Sequence, residues 1–260
     1  MGVTISFGIQ KGGVGKTTTT GITAYLLSKT HRVLAVDFDS QGNLTQFLTG
    51  RDIYDFTGQT VLQAVQKQDP RPYIHAIEDN LHLLPAEDFL AGLGMWLHRT
   101  YTGDYRTALK TALDVVKDQY DYILLDLPPN LREQTTNGLA ASDMAVIMLQ
   151  CEPFCYSALD RYIEFVLSVK EHVNPHLSIA GILPTMLDTR ASMDNTILND
   201  VHTEYEEFVF GTVIKRKARI KEFCSLGIRD TTKADRDALE HHEEFVKELV
   251  ERVQSRQLTV

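Results

Sequence analysis

The chain has 260 residues, 43% of them hydrophobic, with a formal net charge of −9 and a pI near 5.5. That length supports one sizeable α/β core, and the acidic balance excludes a general polyanion binder, so any nucleic-acid contact needs a local basic patch. Three cysteines, Cys151, Cys155 and Cys224, are too few and odd in number for a disulfide framework and fit a reducing cytoplasm, while no apolar run approaches the roughly 20 residues that span a bilayer.

The opening residues "MGVTISFGI" lack the basic start of a secretory leader and read as a strand over 3–9. They also match the loose myristoylation pattern, but Gly2 is read as the entry to the strand. A helix is predicted over 16–29 and a second strand over 32–38. Helical segments follow near 60–67 and 86–98, with the short strand-like 81–86 between them. Further along come a helix over 105–119, strands over 121–127 and 143–149, a helix over 156–173 and a strand over 177–185. Near-continuous apolar strands separated by helices predict an α/β fold with a mostly parallel sheet covered on both faces, so that loops at the strand C-termini share one edge. No repeat or Pro/Gly-rich linker divides the chain, and 1–260 is expected to be one domain of the P-loop NTPase class.

Between the first strand and first helix lies "QKGGVGKTT", the context a phosphate-binding loop requires. Gly12, Gly13 and Gly15 let successive N–H groups turn inward, with Val14 between them, and the helix that follows adds its positive end. Lys16 suits β- and γ-phosphates as a point charge, Thr17 suits Mg2+ as a hard oxygen ligand, and Thr18 continues the first turn. The written pattern has a glycine where this chain has Gln10, and a second lysine, Lys11, follows. Two carboxylate groups stand at strand ends: Asp37 and Asp39 in "VDFDSQGN", and Asp126 in "YILLDLPPN". Alternation puts Asp37 and Asp39 on one face. A carboxylate at the tip of a buried strand is costly unless a cation or hydrogen bonds meet it, and Mg2+ is the economical partner. Read alone, each could equally be a cap or turn residue.

These three motifs together resemble the ParA/MinD group of deviant Walker ATPases, nearest to ParA-type (Soj-like) partition proteins. Looser likeness continues through "CEPFCYSALDRY", "GILPTMLDTR" and "FGTVIKRKARIKEFCSLG", from about residue 3 to 230. The resemblance implies an ATPase with ATP and Mg2+, forming an ATP-dependent homodimer in which Lys11 reaches the partner's phosphates. It implies Asp39 as the residue that positions the attacking water, with Lys11 and Lys16 as its catalytic cations. Asp37 and Asp126, with Thr17, become metal and switch residues. Lys215 and Lys217 stand where the family has Pro and Asn beside the adenine, which leaves the base contacts open. Phe223 and Cys224 replace the usual Ala-Pro.

"KRKARIK" places Lys215, Arg216, Lys217, Arg219 and Lys221 within seven residues, and Arg190 in "LDTR" is a further candidate for nonspecific DNA binding by phosphate neutralisation. A solvated, charged helix start is the alternative. With no helix-turn-helix before the first strand, sequence-specific operator binding is not expected. The family resemblance implies a ParB-like centromere-binding partner and nucleoid association. Two other classes stay open: a ParA-like positioning ATPase acting on a protein cargo or conjugation complex without DNA, and a metabolic P-loop enzyme such as dethiobiotin synthetase. Cys151 and Cys155 make too small a set for a metal site, and no cysteine between Asp126 and Cys151 matches the cluster-bridging nitrogenase iron proteins. His241 and His242 are expected to face solvent. Leu239, Val246, Leu249, Val250 and Val253 form a stripe on a C-terminal packing helix whose net acidic polar face argues against membrane binding.

Overall fold

The computed structural model describes residues 2–152, 155–187 and 192–257. In chain order the elements are β1 (Val3–Gly8), α1 (Lys16–Leu27), β2 (Val33–Asp37), α2 (Asn43–Thr49), α3 (Val61–Lys67), β3 (His75–Glu78), β4 (Leu81–Leu84), α4 (Leu93–Arg99), α5 (Ala108–Asp114), β5 (Tyr122–Asp126), α6 (Glu133–Ala141), β6 (Met144–Gln150), α7 (Cys155–His172), β7 (Ser178–Leu187), α8 (Ser192–Tyr205), β8 (Ile214–Lys215), α9 (Ala218–Leu226) and α10 (Lys233–Gln257). The strands form one eight-stranded sheet in the order β3-β4-β2-β5-β1-β6-β7-β8. Only the β3–β4 pair is antiparallel.

Every residue of β2, β5 and β6 is buried. That is why these strands read as unbroken apolar runs rather than alternating ones. On one face α10 lays Phe245 edge-on against Phe7 of β1 and against Phe210, with centroids 6.3 and 5.0 Å apart. Gly21 in α1 allows α2 to approach: a Cβ there would meet Phe47 Cδ1 at 2.5 Å. Ile22, Tyr25, Phe47, Phe223 and Leu239 then join α1, α2, α9 and α10 into a second apolar cluster beside the main core.

The predicted parallel α/β sheet is present, with α2, β3, α6, α8, β8 and α9 added to the predicted elements and two of the predicted helices altered. The helix expected over 105–119 is shorter, because Asp104 accepts from the Arg106 N–H and closes a turn before Ala108. After it, 117–119 is a separate 3-10 turn. The segment near 86–98 begins as a 3-10 turn over 88–92 and becomes α4 only at Leu93.

β1, β5 and β2 are neighbours, and their register sets Phe7, Asp126 and Asp37 side by side. Parallel connections bring the loops after all three strands to one edge, and the site is built there.

Candidate functional site

The loop after β1 bends through Gly13 and Gly15, at φ of 77° and 84°, a left-handed region that a side chain would strain. Gly15 caps α1, so the helix N-terminus opens directly into the loop. The end of β7 braces it: Thr185 Oγ1 donates to the Val14 carbonyl at 2.8 Å. Lys16 folds back along the loop and donates to the Lys11 carbonyl at 3.0 Å.

Asp126, at the tip of β5, is buried. Its Oδ2 accepts from Thr17 Oγ1 at 2.6 Å, and its Oδ1 has no partner. Burial, and then the neighbouring Asp37 charge, push its carboxyl well above the usual range, against the Thr17 hydrogen bond and Lys16. Burial also lowers the Lys16 ammonium, while Asp126 and Asp39 act to raise it. Both groups have lost hydration without gaining a full set of partners. An orphaned carboxylate oxygen beside a threonine hydroxyl is a hard oxygen set that fits Mg2+.

Asp37 lies next to Asp126 across the β2–β5 pair, but its oxygens are engaged. Oδ2 accepts from Thr45 N and Thr45 Oγ1, both at 2.8 Å, and Oδ1 accepts from Asp39 N at 3.3 Å. It ties β2 to the start of α2. Burial raises it to about 7 even though the Thr45 hydrogen bonds pull it down. Asp39 lies beyond the strand, half-buried, and lines the cavity with Lys16, Thr17 and Gln41.

Lys11 is not free on the loop. Its Nζ pairs with Glu152 Oε2 at 2.8 Å, and Gln150 in turn donates to Glu152. Both partners are about one-third to two-fifths exposed, so the pair contributes only ~0–1 kcal/mol and yields to a stronger anion. Glu152 falls in the loosely family-like stretch "CEPFCYSALDRY", which assigns it no role, although its place just past β6, on the loop edge, marks it as a site-facing position.

The cleft has two halves. The phosphate-loop half is about 490 Å³, and a second cavity of about 410 Å³ lies between the loop and the β8–α9 segment. Gly13, Gly15, Thr18, Met186 and Cys224 border both. Lys215, Arg216, Lys217 and Lys221 rim the second cavity, where the nucleotide role expected of Lys215 and Lys217 meets the DNA role expected of all four. Arg216 also donates to the Met186 carbonyl at 3.3 Å. Arg219 is turned inward: it pairs with buried Asp235 at 2.8 Å and with Glu222, and Arg229 joins Asp235 at 3.5 Å. The basic run is therefore not a uniform open patch. Arg190 lies outside the described residues.

The expectation that His242 faces solvent is wrong. It is 2% exposed, borders the second cavity, and neither ring nitrogen has a partner. It stands three residues after Leu239 and four before Val246, on the apolar stripe of α10, a spacing that outweighs its charged sequence neighbours. His241 is also mostly covered, with its side chain 15% exposed. Leu239, Leu249 and Val253 are buried in the stripe as expected, with Val246 and Val250 packed at its edge. Cys151 is buried. The Cys155 side chain lies outside what is described. Among the described residues no helix is long and apolar enough to cross a membrane.

Residues 2–179 match the family described as AAA domain. The chain is 39% identical to the "Chromosome-partitioning ATPase Soj" of Treponema pallidum, over 88% of each chain. It is 40% identical to the "Sporulation initiation inhibitor protein Soj" of Bacillus subtilis, over 87% of this chain and 89% of that one. Its fold superposes on the Mycobacterium smegmatis cobyrinic acid a,c-diamide synthase with bound ATP analogue and magnesium, with a TM-score of 0.84 and 31% identity, covering 98% and 96% of the two chains. The chain belongs to the Soj/ParA family of partition ATPases.

Proposed function

We propose that this Soj/ParA-family ATPase works, as one domain over 1–260, by pairing two chains around ATP, with nonspecific DNA held by the pair and released on hydrolysis. The observation that carries this reading is the loop itself. Lys16 and Thr17 line one cavity, and behind Thr17 lies buried Asp126 with one oxygen unpartnered, while Lys11 stands outside the cavity on a weak, exposed ion pair. Mg2+, when bound, neutralises the charge shared by the β- and γ-phosphates. Thr17 and Asp126 hold it. Asp37 serves from behind them, tying that charge to the start of α2 through Thr45. Lys16 cradles the phosphates, with the N–H groups from Gly12 to Thr18 around them. Asp39 orients the water. Lys11 leaves Glu152 for the phosphates of a second chain, whose triphosphate charge outcompetes a single carboxylate.

Lys215, Arg216, Lys217 and Lys221 are the DNA candidates, because all four reach the surface beside the cavity; a ParB-like centromere-binding protein is the partner that stimulates hydrolysis. The site of action is the cytoplasm, on the nucleoid when ATP is bound. Pelleting with nonspecific DNA tests the reading. Retention that requires ATP and falls steeply with salt supports it, and equal retention with ADP or no nucleotide contradicts it. One observation favours a second reading, a positioning ATPase for a protein cargo without DNA as carrier: the basic run is partly spent on the cavity rim and on Asp235. DNA-independent stimulation of hydrolysis by a cargo protein would select it.

A further inference from the structure

Among the described residues, Gln68, Met186 and Glu206 carry side chains on a left-handed backbone. Gln68 and Glu206 directly follow helices, where the chain commonly reverses. Met186, at φ 58°, lies inside β7. It is the extra residue of a bulge: Thr185 pairs with Ile214 and Leu187 with Lys215, so two steps along β7 meet one along β8. A methionine held this way stores strain, which persists only where neighbours enforce it. Thr185 Oγ1 anchors the chain just before it on the Val14 and Leu149 carbonyls, and Arg216 Nε donates to the Met186 carbonyl at 3.3 Å. The Met186 methyl lies against the phosphate loop, where a Cβ on Gly15 would meet it at 3.0 Å. Its side chain walls the phosphate half and the second cavity alike. One strained residue thus touches the loop with its side chain and a candidate DNA-binding arginine with its carbonyl.

We propose that Met186 is a positioning residue that couples the phosphate loop to the basic run: a triphosphate filling the phosphate half displaces the methionine side chain, the Met186 backbone leaves the left-handed region, and its carbonyl releases Arg216 to a DNA phosphate. This rests on the reading that ATP governs nonspecific DNA binding at that run. The strain sets the direction of the change, because a side chain that the ligand pushes, on a backbone that gains by relaxing, converts occupancy into movement. Glycine at this position has neither property: it is at ease at φ 58° and offers nothing to displace.

The test is DNA retention against salt, with and without ATP and Mg2+, for full chains carrying Met186→Gly, Met186→Leu, Arg216→Ala, or Met186→Gly together with Arg216→Ala. With ATP, Met186→Gly is expected to hold DNA about fivefold more weakly than the wild-type chain, with a salt slope about one unit shallower, because one phosphate is no longer neutralised. Without nucleotide those two chains should coincide. Met186→Leu, which keeps both bulk and strain, should match the wild type. Arg216→Ala with ATP should match Met186→Gly, and the double variant should be no weaker than either, since both remove the same contact. Titration with a labelled ATP analogue should show that Met186→Gly binds nucleotide no less tightly than the wild type. Thermal unfolding checks that it is folded; if it is not, Met186→Asn, shorter and also tolerant of the left-handed region, takes its place. An unchanged slope for Met186→Gly with ATP, losses that add in the double variant, a Met186→Leu chain as weak as Met186→Gly, or nucleotide binding lost with the methionine overturns the inference alone. Wild-type retention that is equal with and without ATP overturns the functional reading itself.

Discussion

Lys16 and His242 owe their behaviour to burial, Asp39 to its place on the cavity wall, and each gives a prediction. Lys16 is the buried cation of the phosphate half, so Lys16→Ala should weaken ATP binding about hundredfold or more, as loss of a desolvated charge partner does; fluorescence titration with a labelled ATP analogue measures it. Asp39→Ala should leave that affinity within a few-fold but cut hydrolysis about 10²–10³-fold in a phosphate-release assay; wild-type turnover would remove Asp39 from the water-positioning role. His242 gives a pH dependence. Its folded pKa lies near 3, below the ordinary value of about 6.5, so the unfolded chain takes up a proton that the folded chain refuses. Stability is therefore lost as pH falls from 6.5 toward 3, by ~2 kcal/mol between pH 8 and 5. His242→Phe removes this loss. Urea unfolding at both pH values should show the variant gaining on the wild-type protein by that amount at pH 5, and a constant difference would contradict it. The phosphate-loop residues are legible because glycines, lysines and threonines in that order have few other uses between a strand and a helix. His242 is easily misread because a charged run, "EHHEE", hides its register on the stripe. The Lys11–Glu152 pair joins residues 141 apart, and no local pattern carries such a contact.

At the scale of elements, the site depends on how α2 is hung from β2. Thr45 donates to buried Asp37 through its N–H and its hydroxyl, and the same hydroxyl accepts from the Ala86 N–H at 2.9 Å. Thr45→Val should cost about 2 kcal/mol by leaving buried polar groups short of partners. Chemical denaturation measures the cost. The variant should also lower hydrolysis, because Asp39 lies between the two elements that Thr45 joins. The buried strands β1, β2, β5, β6 and β7 are readable as apolar runs. β3 is not: it alternates between half-exposed and exposed at the sheet edge and offers no run to detect. α6, "EQTTNGLAA", is invisible to propensity because Thr, Asn and Gly disfavour helix. It forms because tertiary contacts override that preference. The Asn137 side chain bridges the Leu109 N–H and the Tyr105 and Glu133 carbonyls, and Gly138 lets Leu127 pack where a Cβ would sit 2.2 Å from its Cδ2.

For the whole molecule, the proposed DNA binding would have to run through few cations, because the chain is acidic. Arg219 is committed to Asp235 and Glu222, so its loss is expected to disturb the α9–α10 junction rather than DNA binding. Neutralising Lys215, Arg216, Lys217 and Lys221 at saturating ATP should weaken DNA retention and flatten its salt dependence by about one unit of slope for each phosphate no longer neutralised; an unchanged slope would move the DNA surface elsewhere. The central claim is that two chains meet across their triphosphates, with Lys11 exchanged from Glu152 to the neighbour. Light scattering of the Asp39→Ala chain, saturated with ATP and Mg2+, tests it most directly. The predicted mass is twice 29.4 kDa, returning to 29.4 kDa when Lys11→Ala is added, whereas 29.4 kDa for the Asp39→Ala chain with ATP bound would contradict the account.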